Sequence, residues 1–169
     1  MQHKMNIPLL DLKGQMTETM REEMIQEFTQ VLDSTRYIMG PKVEKFEQEI
    51  AEYTGTPFAI GVSSGTDALL LALMGLNIQP NEVVLVPDFS FFATAGVVAR
   101  LQAIPLFIDI DPITYNLDPH QVRRVLEGMP ATQRKQVKAM IPVHLYGQSA
   151  EMKPLLEIAK EFNLAVIED

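Results

Sequence analysis

Residues 83–110 read VVLVPDFSFFATAGVVARLQAIPLFIDI, a short apolar run, a helix-length segment and a second short apolar run, and this alternation decides the fold class. Val83 to Val86 and Pro105 to Ile110 are near-continuously apolar rather than alternating with polar residues, as strands covered by helices on both faces are. The texture extends in both directions. Upstream lies the run Phe58 to Val62, followed by the helix-length Thr66 to Leu76. Phe92 to Leu101 is the helical segment of the quoted stretch, and Pro119 to Glu127, the run Val137 to Val143, Glu151 to Phe162 and the run Leu164 to Ile167 follow it. Asp118 and Pro119 supply an N-cap and a first-turn proline, Gly128 a stop, and Ser149 a second N-cap. Repeated strand-then-helix units over residues 57–169 predict an α/β fold, a mostly parallel sheet with flanking helices and right-handed crossovers.

Residues 1–56 have a different pattern and form a separate helical segment. Met20, Met24, Ile25, Phe28, Val31 and Leu32 recur at three- and four-residue spacing, which predicts a helix over Thr19 to Asp33 with one face turned to a core. Val43, Phe46, Ile50 and Tyr53 repeat the pattern between the Gly40-Pro41 break and Gly55, a residue suited to a left-handed helix end.

Composition narrows the function. With 47% apolar and 21% charged residues, the 169-residue chain can bury one full core. Its formal charge of -8 is opposite to the basic face that phosphate backbones attract, which argues against nucleic acid as a partner. The lack of cysteine removes disulfide frameworks, thiolate metal sites and thiol nucleophiles, and fits a reducing compartment such as the cytoplasm. Met1 to Leu10 has no apolar core of signal-peptide length, and no later run approaches a membrane span.

Ligands of open parallel sheets bind beyond the carboxyl ends of the strands, so the residues after each run carry the chemistry. Ser63-Ser64-Gly65-Thr66-Asp67 opens a helix with free N–H groups and hydroxyls, and reads either as an anion site or as an ordinary capping turn. Pro87 to Thr94 brings three aromatics to a strand end, one able to stack on a planar ligand and two suited to core packing. His144-Leu145-Tyr146-Gly147-Gln148 puts an imidazole, a phenol and an amide on one turn, with no second histidine nearby to suggest a metal. Glu168-Asp169, by composition alone, is a solubilising pair.

Taken in order, these segments resemble the N-terminal part of a pyridoxal-phosphate-dependent sugar aminotransferase of the DegT/DnrJ/StrS family. The resemblance is carried by Ile7 to Leu12, Tyr37-Ile38-Met39-Gly40-Pro41 with Val43, Glu44 and Phe46, and Gly61 to Leu69. It continues through Phe91 to Ala95, Phe107 to Asp111, Asn116 to Pro119, Pro142 to Gln148 and Val166 to Asp169. It implies part of the large domain of the fold-type-I aminotransferase architecture, a homodimer, and exchange of an amino group between an amino acid, glutamate or glutamine, and a keto-sugar, nucleotide-linked or related. It implies that Gly65 and Thr66, with Ser64 beside them, hold the cofactor phosphate, and that Phe91 stacks on the pyridine ring. Asp169 matches the family aspartate that pairs with the pyridine nitrogen, and Tyr37 to Pro41 would lie near the substrate.

The sequence also departs from the family. The lysine that forms a Schiff base with the cofactor is expected downstream of the aspartate, and no lysine here follows a strand-end motif that could inherit the role. The remaining large domain and the C-terminal small domain are likewise not matched, so the chain reads as truncated. An alternative function is then an inactive family fragment acting by association. A dinucleotide-binding domain shares the texture but requires a Gly-x-Gly-x-x-Gly turn after a strand, which is lacking.

Overall fold

The computed structural model describes residues 10–169, so His3, Lys4 and the Ile7, Pro8 and Leu9 of the first resemblance segment lie outside the described residues. The chain forms two compact units that meet in sequence at Gly61 and Val62.

The first unit contains α1 (Leu12–Gln15), α2 (Glu18–Ser34) and α3 (Pro41–Thr54). Thr17 caps α2 by accepting the N–H of Met20, and Pro41 starts α3 where its missing N–H costs nothing. Gly55 ends α3 at φ 68°, the left-handed conformation expected of it. Lys42 joins the two longer helices, reaching Glu27 and donating to Gln30 at 2.7 Å. The expected core on their apolar faces is not formed. Neither α2 nor α3 has a buried residue, and Phe28 remains 64% exposed, because no element among the described residues covers the stripe.

The second unit is the α/β layer. It runs α4 (Gly65–Gly75), β1 (Val83–Pro87), α5 (Phe92–Arg100), β2 (Ile104–Ile108), α6 (Pro119–Gly128), α7 (Ala131–Arg134), β3 (Val137–Met140), α8 (Met152–Phe162) and β4 (Ala165–Val166). The sheet order is β2-β1-β3-β4 and every pair is parallel. Alternation of side chains along β1 explains why its run is continuously apolar. Val84 and Val86 pack with Leu69, Leu70 and Leu73 of α4 and Val97 and Val98 of α5 on one face. Leu85 points the other way, into a core with Val122 and Leu126 of α6 and Leu155 and Ile158 of α8.

Three expectations need correction. Phe58 to Val62 is not a strand, since it pairs with no neighbour among the described residues and Phe58 and Ile60 are exposed. An apolar run becomes a strand only where a sheet edge accepts its backbone groups. Ser149 does not cap α8. The helix starts at Met152 after Glu151 with no side-chain cap, and the Ser149 hydroxyl donates to the Ala150 carbonyl. The aromatics Phe89 and Phe92, expected in the core, are both exposed, because the β1–α5 core is filled by Ala93, Val97 and Val98.

Past the named strands the backbone ladder continues. Ile167 donates to Met140, Asp169 to Pro142 at 2.9 Å, and His144 to Asp169 at 2.8 Å, so pairing of the β3 and β4 segments extends to the acidic pair. The short helices α1 and α7 and a 3-10 turn at Leu145–Gly147 were not signalled by periodicity, being too short to show one.

Candidate functional site

The strand order fixes where a ligand belongs. The chain steps from β1 to β2 on one side and then returns to β3 on the other side of β1, with α5 and α6 on opposite faces. That reversal opens a crevice beyond the carboxyl ends of β1 and β3. Phe91 and Thr94 follow β1, His144 follows β3, and Asp169 follows β4. All lie at one edge because all four strands are parallel.

Asp169 is tied into this edge. Its Oδ2 accepts a hydrogen bond of 2.8 Å from the Thr94 hydroxyl, on the first turn of α5, while Oδ1 makes no hydrogen bond among the described residues. Phe91 precedes the helix in an extended conformation and is 77% exposed. Phe92 is exposed as well, at 82%, but its ring lies along its own helix. Phe89 leans on Tyr115 with centroids 5.8 Å apart, and Phe92 lies back along α5 over Gly96, where an added Cβ would meet the Phe92 ring at 2.8 Å.

His144 holds the neighbouring turn. Its Nδ1 accepts the Ala150 N–H at 3.1 Å, so a neutral ring carries its proton on Nε2, which faces the Glu168 carboxylate at 3.0 Å. Asn116, only 3% exposed, clamps the same turn at both ends, accepting from the Leu145 N–H at 3.1 Å and donating to the Gln148 carbonyl at 2.9 Å. Between them Tyr146 is held at φ 56°, a conformation that costs a non-glycine residue roughly 1–2 kcal/mol. Asn116→Ala is therefore expected to lower unfolding stability by roughly 1–3 kcal/mol, whereas Tyr146→Gly is expected to raise it slightly. Urea unfolding midpoints check both, and an unchanged midpoint for Asn116→Ala would remove the clamp from the account.

Ser64, Gly65 and Thr66 form the start of α4. Ser64 is the N-cap, accepting the Asp67 N–H at 3.1 Å. The hydroxyls of Ser63 and Ser64 both donate to the Asp67 carboxylate, and these bonds, that of Ser63 first, hold the Asp67 carboxyl below the usual carboxylate range. The N–H groups of Ser63, Ser64, Gly65 and Thr66 and the Thr66 hydroxyl donate to nothing among the described residues, and those of Gly65 and Thr66 lie in the first turn of the helix. A Cβ added at Gly65 would meet nothing within 4 Å, so the space in front of these N–H groups is open. No hydrogen bond among the described residues links this turn to the Asp169 group. Tyr37 to Pro41 stands in the first unit, with Gly40 as the N-cap of α3.

The donor set fits pyridoxal phosphate group by group. Free N–H groups at the positive end of a helix suit a phosphate, an exposed ring suits a planar heterocycle, and a carboxylate with one unpaired oxygen suits a protonated ring nitrogen. A cleft of about 480 Å³ lies between Glu127, Ala131, Arg134, Lys135, Glu161 and Phe162. Because α7 leads into the start of β3, that cleft faces the amino ends of the strands, away from the crevice.

An open parallel sheet with this strand order places its ligand edge at the switch point beyond β1 and β3. The chain belongs to the DegT/DnrJ/EryC1/StrS aminotransferase family, whose model matches residues 18–169. It is 44% identical to the pleiotropic regulatory protein of Geobacillus stearothermophilus, over 98% of this chain and 42% of that one. It is 39% identical to the UDP-2-acetamido-2-deoxy-3-oxo-D-glucuronate aminotransferase of Pseudomonas aeruginosa, over 96% of this chain and 43% of that enzyme. Its fold matches a crystal structure of NtdA from Bacillus subtilis with bound PMP cofactor at a TM-score of 0.86 and 32% identity, covering 96% of this chain and 36% of that one. The chain thus spans about two-fifths of the length of the relatives it matches.

Sequence reasoning singled out the aromatics and His144 at this edge but gave Thr94 and Asn116 no role. Both are polar residues beside apolar runs, a usable signal, yet their partners lie far away in sequence.

Proposed function

We propose that the complete protein containing this chain is a pyridoxal-phosphate-dependent aminotransferase that moves an amino group from glutamate or glutamine to a keto-sugar, with nucleotide-linked keto-sugars as the substrate class. The donor leaves as its 2-oxo acid and the sugar carbonyl becomes an amine. The observation that carries the reading is Asp169 at the crevice edge, one oxygen held by Thr94 and the other free. The nucleotide-sugar aminotransferase of Pseudomonas aeruginosa among the relatives supports the substrate class.

When bound, pyridoxal phosphate supplies an electron-accepting ring for amino-group chemistry. The Gly65 and Thr66 N–H groups would bind its phosphate, Phe91 would cover a ring face and exclude water there, and Asp169 would hold the proton on the ring nitrogen. Ser64 would join the phosphate only by releasing Asp67. The reading takes the protein as a cytoplasmic homodimer. The exposed apolar faces of α2 and α3 support association with a second chain, and no helix among the described residues is long and apolar enough to cross a membrane.

Gly65→Ala tests the phosphate site. The added methyl enters open space, so the fold is expected to hold while affinity for pyridoxal phosphate falls about tenfold, the equivalent of one charged hydrogen bond. Equilibrium binding against pyridoxal, which lacks the phosphate, checks it; an equal loss for both compounds would place the phosphate elsewhere.

The activity is tested by incubating the cofactor-loaded protein with glutamate or glutamine, without sugar and then with UDP- or dTDP-linked keto-sugars. The expected result is one equivalent of 2-oxo acid per cofactor without sugar and continued release once a keto-sugar is added. No 2-oxo acid from either donor would reject the proposal.

A further inference from the structure

Behind Asp169 stands a directional chain of hydroxyls. Thr94 is 2% exposed, one of two polar side chains buried among the described residues. Its Oγ1 lies 2.8 Å from Asp169 Oδ2 and 3.1 Å from Ser90 Oγ. A carboxylate only accepts, so the single Thr94 hydroxyl proton is committed to Asp169. Thr94 can then engage Ser90 only as an acceptor, and the Ser90 hydroxyl must donate to it. The relay runs Ser90 to Thr94 to Asp169, each donor polarising the next.

We infer that Thr94 is a positioning residue that fixes the Asp169 carboxylate with Oδ2 turned to the protein and Oδ1 turned to the cofactor ring nitrogen. The inference rests on the reading of Asp169 as the partner of that nitrogen. Three features favour a role beyond packing. The contact spans 75 residues of sequence and joins the first turn of α5 to the β4 segment, so it sets where the carboxylate stands relative to Phe91, three residues before Thr94. Thr94 is β-branched and buried, which restricts its χ1, and its contacts to Ser90 and Asp169 select the rotamer that aims the donor. The Asp169 backbone is held independently, by its N–H to Pro142 and its carbonyl to His144, which leaves side-chain rotation as the freedom Thr94 removes.

A free carboxylate rotor presents either oxygen, or neither, to a ring nitrogen. Fixing it organises the acceptor before the cofactor arrives, which favours states in which the ring nitrogen is protonated. Loss of the Thr94 hydroxyl should therefore act on ring protonation and on amino-transfer rate more than on cofactor retention.

The test uses the complete protein loaded with pyridoxal phosphate carrying 15N in the ring, as the unmodified protein and as Thr94→Val, Thr94→Ser, Ser90→Ala and Asp169→Asn. The ring 15N resonance reports protonation and is read beside cofactor affinity and the single-turnover rate with glutamate. Thr94→Val is expected to move the resonance toward the unprotonated position and slow the turnover roughly ten- to a hundredfold, with a smaller change in affinity. Thr94→Ser, which keeps the donor, should restore both, a rescue that a merely space-filling role would not show. If Thr94→Val does not fold, Ser90→Ala carries the test, with a smaller shift in the same direction. An unmoved resonance in Thr94→Val, or in Ser90→Ala where that variant stands in, overturns the inference while a shift in Asp169→Asn keeps the reading of Asp169. An unmoved resonance in Asp169→Asn overturns both.

Discussion

Asp169→Asn is expected to slow the glutamate half-reaction by roughly ten- to a hundredfold or more while the fold and the phosphate contacts persist. The amide is nearly the same size, so the β4 ladder to Pro142 and His144 is kept. What is lost is the negative charge proposed to face the ring nitrogen. A hydrogen bond to a charged group contributes roughly 1.5 to 3 kcal/mol, and here it is strongest where charge develops during the reaction, so its loss appears in the rate. The Asn side chain still accepts from Thr94, which separates loss of charge from loss of position. Single-turnover rates and cofactor binding measured on the same samples check the split, and equal rates would remove Asp169 from the catalytic set.

The largest effect on stability is expected from Leu73→Ala. Leu73 is fully buried, 0% exposed, on the inner face of α4, packed with Val84 and Val86 of β1 and Val97 and Val98 of α5. Truncation in so filled a layer costs roughly 2–5 kcal/mol, the lost transfer energy plus the cavity that the sheet cannot collapse into. Because the α4 start carries the free N–H groups of Gly65 and Thr66, a loosened α4 should also weaken phosphate binding. Denaturant unfolding and cofactor titration on the same variant check this. A loss of stability with unchanged affinity would mean that the first turn of α4 is held by its own cap, Ser64 with Asp67, rather than by the core.

The α/β layer was legible because β1 is buried on both faces, so its run is continuous, and because α4, α5, α6 and α8 carry recognisable periods or end signals. Phe58 to Val62 was misread for the complementary reason, since an apolar run shows what a segment would bury and not which edge would pair with it. The amphipathic stripes of α2 and α3 gave the right helices but no core, as period reports a face and not its cover. The placement of Asp169 beyond the last apolar run and of Ser64 to Thr66 at the start of α4 was legible from the run and the capping signals beside them. The engagement of Ser64 with Asp67 was not, since a serine hydroxyl can cap, donate or bind a ligand with the same sequence signature. Thr94 and Asn116 showed in the sequence only as polar residues beside apolar runs, because each acts through contacts with residues tens of positions away.

The most direct test of the cofactor cradle is a crystal structure of the complete protein with pyridoxal phosphate. The phosphate is expected on the Gly65 and Thr66 N–H groups, the ring against Phe91, and the ring nitrogen within hydrogen-bond distance of Asp169 Oδ1 with Oδ2 still on Thr94. A cofactor whose phosphate lies away from the start of α4, or whose ring nitrogen faces a group other than Asp169, would contradict this placement.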